Sequence, residues 1–144
     1  MKIQKNLPNH VAIIMDGNGT WSKKNNLQRR DGHQAGVKTA KKIVSYSIEK
    51  GIKNITLYAL SNENLMRSKI ELKNLFDIFY FSFSEEKDFL FENKIKINFI
   101  GDLEKLPKKL RENATSLENS TNKNKRLNLF IALNYGGKQD IKQA

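Results

Sequence analysis

The chain has 144 residues, 38% hydrophobic and 28% charged, with no cysteine; this length suits one domain with a substantial core, and disulfides and thiolate metal sites are excluded. A mean hydropathy of -0.63, without an apolar run near the ~18 residues of a membrane span, excludes a bilayer-crossing helix, and the lack of cysteine fits a reducing cytoplasm. The formal net charge is +11, but the lysines are spread along the chain, often beside asparagine as in Thr121-Asn122-Lys123-Asn124-Lys125, so a nucleic-acid partner is not expected.

An anionic small substrate, or peripheral contact with an anionic membrane surface, uses the same charge. The start, Met1-Lys2-Ile3-Gln4-Lys5, leads into Asn6-Leu7-Pro8 without the apolar stretch of a secretory signal, so none is expected. His10-Val11-Ala12-Ile13-Ile14-Met15 is a continuous apolar run of strand length, ended by the turn-rich Asp16-Gly17-Asn18-Gly19. Over residues 34–50, Val37, Ala40, Ile43, Val44 and Ile48 fall at helical spacing, and Gly51 stands where a helix stops. Residues 52–60 read as a second buried strand.

Residues 69–93 read as one long helix carrying Phe76, Phe79, Phe81, Phe83, Phe89 and Phe91. Residues 95–100 alternate apolar and polar side chains before Gly101-Asp102, a third strand with one wetter face. Residues 103–120 read as a polar helix with a thin apolar side, placed on the outside, and residues 121–126 as a loop. A fourth strand over residues 127–133 is followed by Asn134-Tyr135-Gly136-Gly137, which turns the chain into a last, barely opened helix. Short apolar runs alternating with helical segments define an α/β fold, a mainly parallel sheet flanked by helices.

Open sheets of this kind collect ligands at the C-terminal ends of their strands. The glycines of Asp16-Gly17-Asn18-Gly19 let backbone amides approach a phosphate, and a carboxylate at that corner suits Mg²⁺ bridging diphosphate oxygens. Alone, the tetrapeptide reads first as an ordinary strand-to-helix turn. Arg29, Arg30 and His33 add cationic donors, and Ser61-Asn62-Glu63-Asn64 with Arg67 form a second polar cluster at the next strand end, where Ser61 or Asn62 also suits a helix cap. Two polar strand ends beside a Phe-rich helix describe a diphosphate head site next to an oily surface.

The stretch from His10 through Gly19 with Trp21, then Gly32-His33-Gln34-Ala35-Gly36, then Thr56-Leu57-Tyr58-Ala59-Leu60-Ser61 with Glu63-Asn64 and Arg67, then Ile100-Gly101-Asp102 and Asn128-Leu129-Phe130-Ile131-Ala132-Leu133-Asn134-Tyr135-Gly136-Gly137, resembles the cis-prenyltransferases of the undecaprenyl diphosphate synthase type in order and spacing. The resemblance implies condensation of isopentenyl diphosphate with an allylic, farnesyl-type diphosphate, with Mg²⁺, to give a cis-polyprenyl carrier lipid for cell-wall sugars. It implies a metal-linked Asp16, and an allylic diphosphate held by the backbone of Gly17, Asn18 and Gly19 together with Arg29 and His33. Asn64 matches the residue assigned to proton removal; an amide is a poor base, so it reads as a positioning group. Thr20, Trp21, Ser61, Asn62, Glu63, Leu65 and Arg67 complete the substrate-binding set, and the Phe-rich segment lines a tunnel for the growing chain or simply packs the core.

Two positions depart from the family pattern: Thr20 stands where Arg is usual and Leu65 where Trp is usual. Loss of an Arg removes a charge-assisted phosphate contact of ~1.5–3 kcal/mol. The C-terminal elements that the resemblance places after this length, with an arginine and serine cluster for isopentenyl diphosphate and a glutamate for the metal, have no counterpart here. The expectation is therefore a fold lacking those elements, inactive alone, with a homodimer or a complementing C-terminal polypeptide as partner. A noncatalytic subunit or fragment is the alternative reading.

Overall fold

The computed structural model describes residues 6–144, and the basic start over residues 1–5 lies outside them. In chain order the elements are β1 (His10–Ile14), α1 (Asn18–Lys24), α2 (Arg29–Lys50), β2 (Asn54–Ser61), α3 (Lys69–Glu85), α4 (Lys87–Glu92), β3 (Ile95–Ile100), α5 (Lys108–Thr121), β4 (Leu127–Tyr135) and α6 (Gly137–Gln143). Short 3-10 turns cover Glu63–Met66 and Leu103–Lys105. The four strands form one sheet in the order β1-β2-β4-β3, and every pairing is parallel. The α/β class and the parallel, helix-flanked sheet expected from the sequence are therefore what the chain builds.

Register explains the core. Leu129 lies opposite Ile55 on one side and Ile97 on the other, so every second residue of three strands points to the same face. On that face Ile55, Leu57, Ile95, Ile97, Leu129 and Ile131 meet Val44 and Ile48 of α2, Leu75, Phe79 and Phe83 of α3, and Leu110 and Leu117 of α5 in one buried cluster. Gly51, at φ 81°, ends α2 in the left-handed conformation as its position suggested. Among the described residues no helix is long and apolar enough to cross a membrane.

Four expectations need correction. The apolar run at residues 10–15 is an edge strand with one open face, where Ile14 is 76% exposed. An additional helix, α1, follows the first turn, and α2 starts at Arg29 rather than residue 34. Its first turn is fixed by Asp31, whose carboxylate accepts the Gln28 N–H at 2.9 Å, a reciprocal cap without the usual Ser, Thr, Asp or Asn at the cap position. The Phe-rich helix is interrupted at Glu86 (φ -88°, ψ 4°), which ends α3 and opens α4.

Lastly, α5 begins at Lys108 behind Pro107 and does not lie loosely outside. Leu110, Ala114, Leu117 and Thr121 recur at three- and four-residue intervals and are all buried. Ala and Thr make this stripe look thin in sequence, yet small side chains let α5 approach β3 closely. Thr121 Oγ1 accepts the Ile97 N–H at 3.2 Å and donates to Leu117 O at 2.9 Å.

Candidate functional site

The first corner of the site is built where β1 ends. Gly17 takes φ 88°, a left-handed conformation that a side chain resists, and this turns the chain into α1 at Asn18. The Gly17 N–H donates to Asp16 Oδ1 at 2.6 Å, which pins an exposed carboxylate at the rim. Against this corner lies the first part of α2, and two glycines make the approach possible. A Cβ on Gly32 would sit 2.2 Å from Asn18 O, and one on Gly36 would sit 2.6 Å from Asn18 Nδ2.

Arg29, at the start of α2, and Arg67, after the second strand end, converge on one acid. Glu71 Oε1 lies 3.1 Å from Arg29 Nη1 and 3.3 Å from Arg67 Nη1. Glu71 escaped the sequence reading, although the spacing Ser68-x-x-Glu71 marked it as a helix-start residue; Ser68 Oγ accepts its N–H at 3.3 Å. His33 stands one helical turn beyond Arg29. Burial first, then Arg29 and Arg67, push its pKa below 6.5, while Glu71 pulls the other way, so the imidazole is neutral at pH 7. Its Nε2 is buried and has no hydrogen-bond partner among the described residues.

At the second corner Ser61 and Asn64 lock each other. Asn64 Oδ1 accepts the Ser61 N–H at 3.1 Å, and Ser61 Oγ accepts the Asn64 N–H at 3.2 Å. The amide oxygen of Asn64 is thereby engaged with backbone, which suits positioning rather than proton abstraction. Asn62 stands at the cap position of the Glu63–Met66 turn but makes no side-chain cap there: it points to α6, donating from Nδ2 to Gln139 Oε1 at 2.9 Å.

Two cavities open from these corners. The polar one, about 660 Å³, is lined by Asp16, Gly17, Asn18, Gly19, Thr20, Arg29, His33 and Arg67, with Met15 between them. The second, about 190 Å³, runs under it between α2, α3 and the sheet, and Asn64, Val37, Leu57, Phe79 and Phe83 are among its walls. Met15, Asn18, His33 and Arg67 line both, so the two spaces are neighbours.

The expected site residues thus divide. Asp16 through Thr20, Arg29, His33, Asn64 and Arg67 share these walls, whereas Trp21, Ser61, Asn62, Glu63 and Leu65 lie outside them. Leu65 packs against the core instead. Of the six phenylalanines, Phe79, Phe83 and Phe89 line the apolar cavity, Phe76 packs on the core, and Phe81 and Phe91 are exposed.

Among the described residues no three His, Cys, Asp or Glu side chains gather as a metal cage. A divalent cation at Asp16 would take most of its oxygens from a phosphate ligand, which is the habit of Mg²⁺. The donor set therefore fits Mg²⁺ arriving with a diphosphate.

Residues 14–144 match the family described as "Putative undecaprenyl diphosphate synthase". The chain is 45% identical over 138 residues to dehydrodolichyl diphosphate synthase 2 of Arabidopsis thaliana, covering 96% of the chain and 44% of that relative. It is 44% identical over 141 residues to the farnesyl-diphosphate-specific ditrans,polycis-undecaprenyl-diphosphate synthase of Haemophilus influenzae, covering 98% and 59% respectively. Its fold superimposes with a TM-score of 0.90, at 37% identity, on the crystal structure of lavandulyl diphosphate synthase from Lavandula x intermedia in complex with dimethylallyl diphosphate, over 94% of this chain and 58% of that one. The chain spans about half of the length of these relatives. The parallel sheet, the glycine corner with its arginines and the match over residues 14–144 agree, and the chain belongs to the undecaprenyl diphosphate synthase family.

Proposed function

We propose that the chain holds the allylic substrate of a cis-prenyl transfer, with a farnesyl-type diphosphate head in the polar cavity and its prenyl tail in the apolar one. The observation that carries this reading is the wall shared by the two cavities, Met15, Asn18, His33 and Arg67. An amphiphile with an anionic head needs this combination of basic mouth and apolar slot.

In the transfer, a carbon–carbon bond to isopentenyl diphosphate forms as the allylic carbon–oxygen bond breaks, pyrophosphate leaves, and a proton is lost from the condensed chain. Arg29 and Arg67, braced by Glu71, supply fixed donors for the departing negative charge, and preorganised donors of this kind favour the charged state that develops. Neutral His33 adds a hydrogen bond without a competing charge. Asn64, held by Ser61, orients the tail end of the reacting carbons. Bound Mg²⁺, held by Asp16 and phosphate oxygens, would neutralise charge on the leaving diphosphate.

Calorimetric titration of farnesyl diphosphate with Mg²⁺ tests the reading. Binding is expected, and Asp16→Ala should abolish or strongly weaken it. A folded chain that binds no prenyl diphosphate would overturn it. Turnover is a separate measurement: mixing the chain with the C-terminal portion of a relative should yield prenyl transfer that depends on Asp16.

A further inference from the structure

Lysines that lie scattered along the sequence are gathered by the fold at the end of the sheet remote from the glycine corner. Lys53, Lys94 and Arg126 immediately precede β2, β3 and β4. Main-chain bonds tie them together: the Asn128 N–H donates to Lys53 O at 2.8 Å, and the Arg126 N–H to Lys94 O at 2.9 Å. Along β2, Lys53 and Ser61 are about 26 Å apart at ~3.3 Å per residue. Lys123 and Lys125 join the cluster from the turn after α5. Asn124 fixes that turn, donating from Nδ2 to Ile95 O at 2.8 Å and to Leu90 O at 3.4 Å. Lys94, Lys123, Lys125 and Arg126 are exposed and line one open groove of about 860 Å³. Among the described residues Glu92 is the single acid of that wall, and none of the four cations is ion-paired. Phe91, 41% exposed, lies in the same wall.

We propose that this groove is a docking surface for an anionic phospholipid bilayer, with the four cations on the headgroups and Phe91 at the headgroup boundary. Like charges held on a pinned turn repel one another, and a layer of anionic headgroups relieves that repulsion. An exposed ring among cations gains by leaving water at the level of the headgroups, which a bilayer provides. In α4, Phe89 and Leu90 line the apolar cavity whereas Phe91 lines the groove, so one short helix separates the two spaces. The choice of a bilayer over other polyanions rests in part on the reading of that cavity as a prenyl-tail site, because docking here brings a lipid-handling pocket up to the membrane.

The test is co-sedimentation of the full chain with vesicles of phosphatidylcholine alone, or of equal parts phosphatidylcholine and phosphatidylserine, without any prenyl diphosphate. The parent chain should bind the mixed vesicles, and added salt should weaken that binding. Each cation beside an anionic surface is worth about fivefold, so Lys123→Glu with Lys125→Glu should weaken it by about 25-fold or more. Phe91→Ser should weaken it by about tenfold. Lys108→Glu with Lys109→Glu makes the same change of net charge at the other end of α5, and it should cost less than about threefold. Circular dichroism shows that each variant is folded, and farnesyl diphosphate with Mg²⁺ should bind all four proteins alike.

A folded parent chain that ignores the mixed vesicles would overturn the docking surface, whatever it does with farnesyl diphosphate. So would equal losses in the two charge-reversed variants, because net charge alone would then be acting. Binding of a random DNA duplex that the Lys123 and Lys125 changes abolish, with no vesicle binding, would assign the groove to nucleic acid and overturn the bilayer. Vesicle binding with the expected pattern but no farnesyl diphosphate binding would uphold the surface and remove the tail reading instead.

Discussion

Glu118 of α5 accepts the main-chain N–H of Phe99 in β3 at 2.6 Å. Among the described residues β3 is the last strand of the sheet, so its outward groups take their partners from side chains rather than from another strand. Thr121 takes the Ile97 N–H at 3.2 Å, and Asn124 Nδ2 donates to Ile95 O at 2.8 Å. α5 and the turn after it thus close one margin of the sheet with side chains, whereas β1 forms the other margin.

Replacing Glu118 by Ala is expected to lower stability to urea by ~1–3 kcal/mol, the range for leaving a shielded donor unsatisfied. Glu112→Ala, on the exposed side of the same helix, should leave the urea midpoint unchanged. Equal midpoints for the two variants would mean that water satisfies the Phe99 amide.

Gly32→Ala should disturb the site and the fold together. The added carbon meets Asn18 O at 2.2 Å, a main-chain atom that cannot swing aside, so α1 must shift from α2 at about 1–3 kcal/mol. Loss of pyrophosphate binding should accompany the lower melting temperature. Gly137→Ala, with no atom of the described residues within 4 Å of its Cβ, is the control, and it should be neutral or slightly stabilising because Ala is the better helix former.

His33 gives a pH dependence of known sign. Burial, Arg29 and Arg67 hold its pKa in the folded chain below the 6.5 of the free side chain, so below that pH the unfolded chain binds the proton first. Stability should fall as pH drops from 6.5 toward the depressed folded value, with no contribution from this group above 6.5. His33→Phe should flatten the slope in this window. Pyrophosphate beside the ring should raise the pKa, read directly from the His33 ring proton shifts in NMR; a pKa unmoved at saturating pyrophosphate would place the anion elsewhere.

Thr20 offers a gain-of-binding test. It is exposed and lines the polar cavity, where a guanidinium in its place can reach a phosphate oxygen. Thr20→Arg is expected to tighten pyrophosphate by roughly tenfold or more, from a charge-assisted contact of ~1.5–3 kcal/mol. Unchanged affinity, by the same titration, would show that Arg29 and Arg67 already saturate the head site.

Much of this architecture was legible in the sequence, because strand periodicity and glycine-bearing strand ends are local signals. Residues 95–100 alternate and form β3, and the corner at Asp16 to Gly19 does face Arg29, His33 and Arg67. What escaped depended on tertiary placement. Nothing in the run His10 to Ile14 tells an edge strand from a central one, since that follows from strand order. α1 opens after a glycine with no side-chain cap, and the α3 break carries neither Pro nor Gly at Glu86, so neither end had its usual marker. Glu71 acquires its role only when Arg29 arrives from another helix.

The floor of the apolar cavity is the core itself: Leu57, Ile97, Leu117, Leu129 and Ile131 belong to both. A hydrocarbon tail seated there adds contacts that the protein interior otherwise lacks, and a ligand bound only by the folded state shifts the folding equilibrium by mass action. On the function proposed above, a bound prenyl diphosphate would make the chain open less often to proteases.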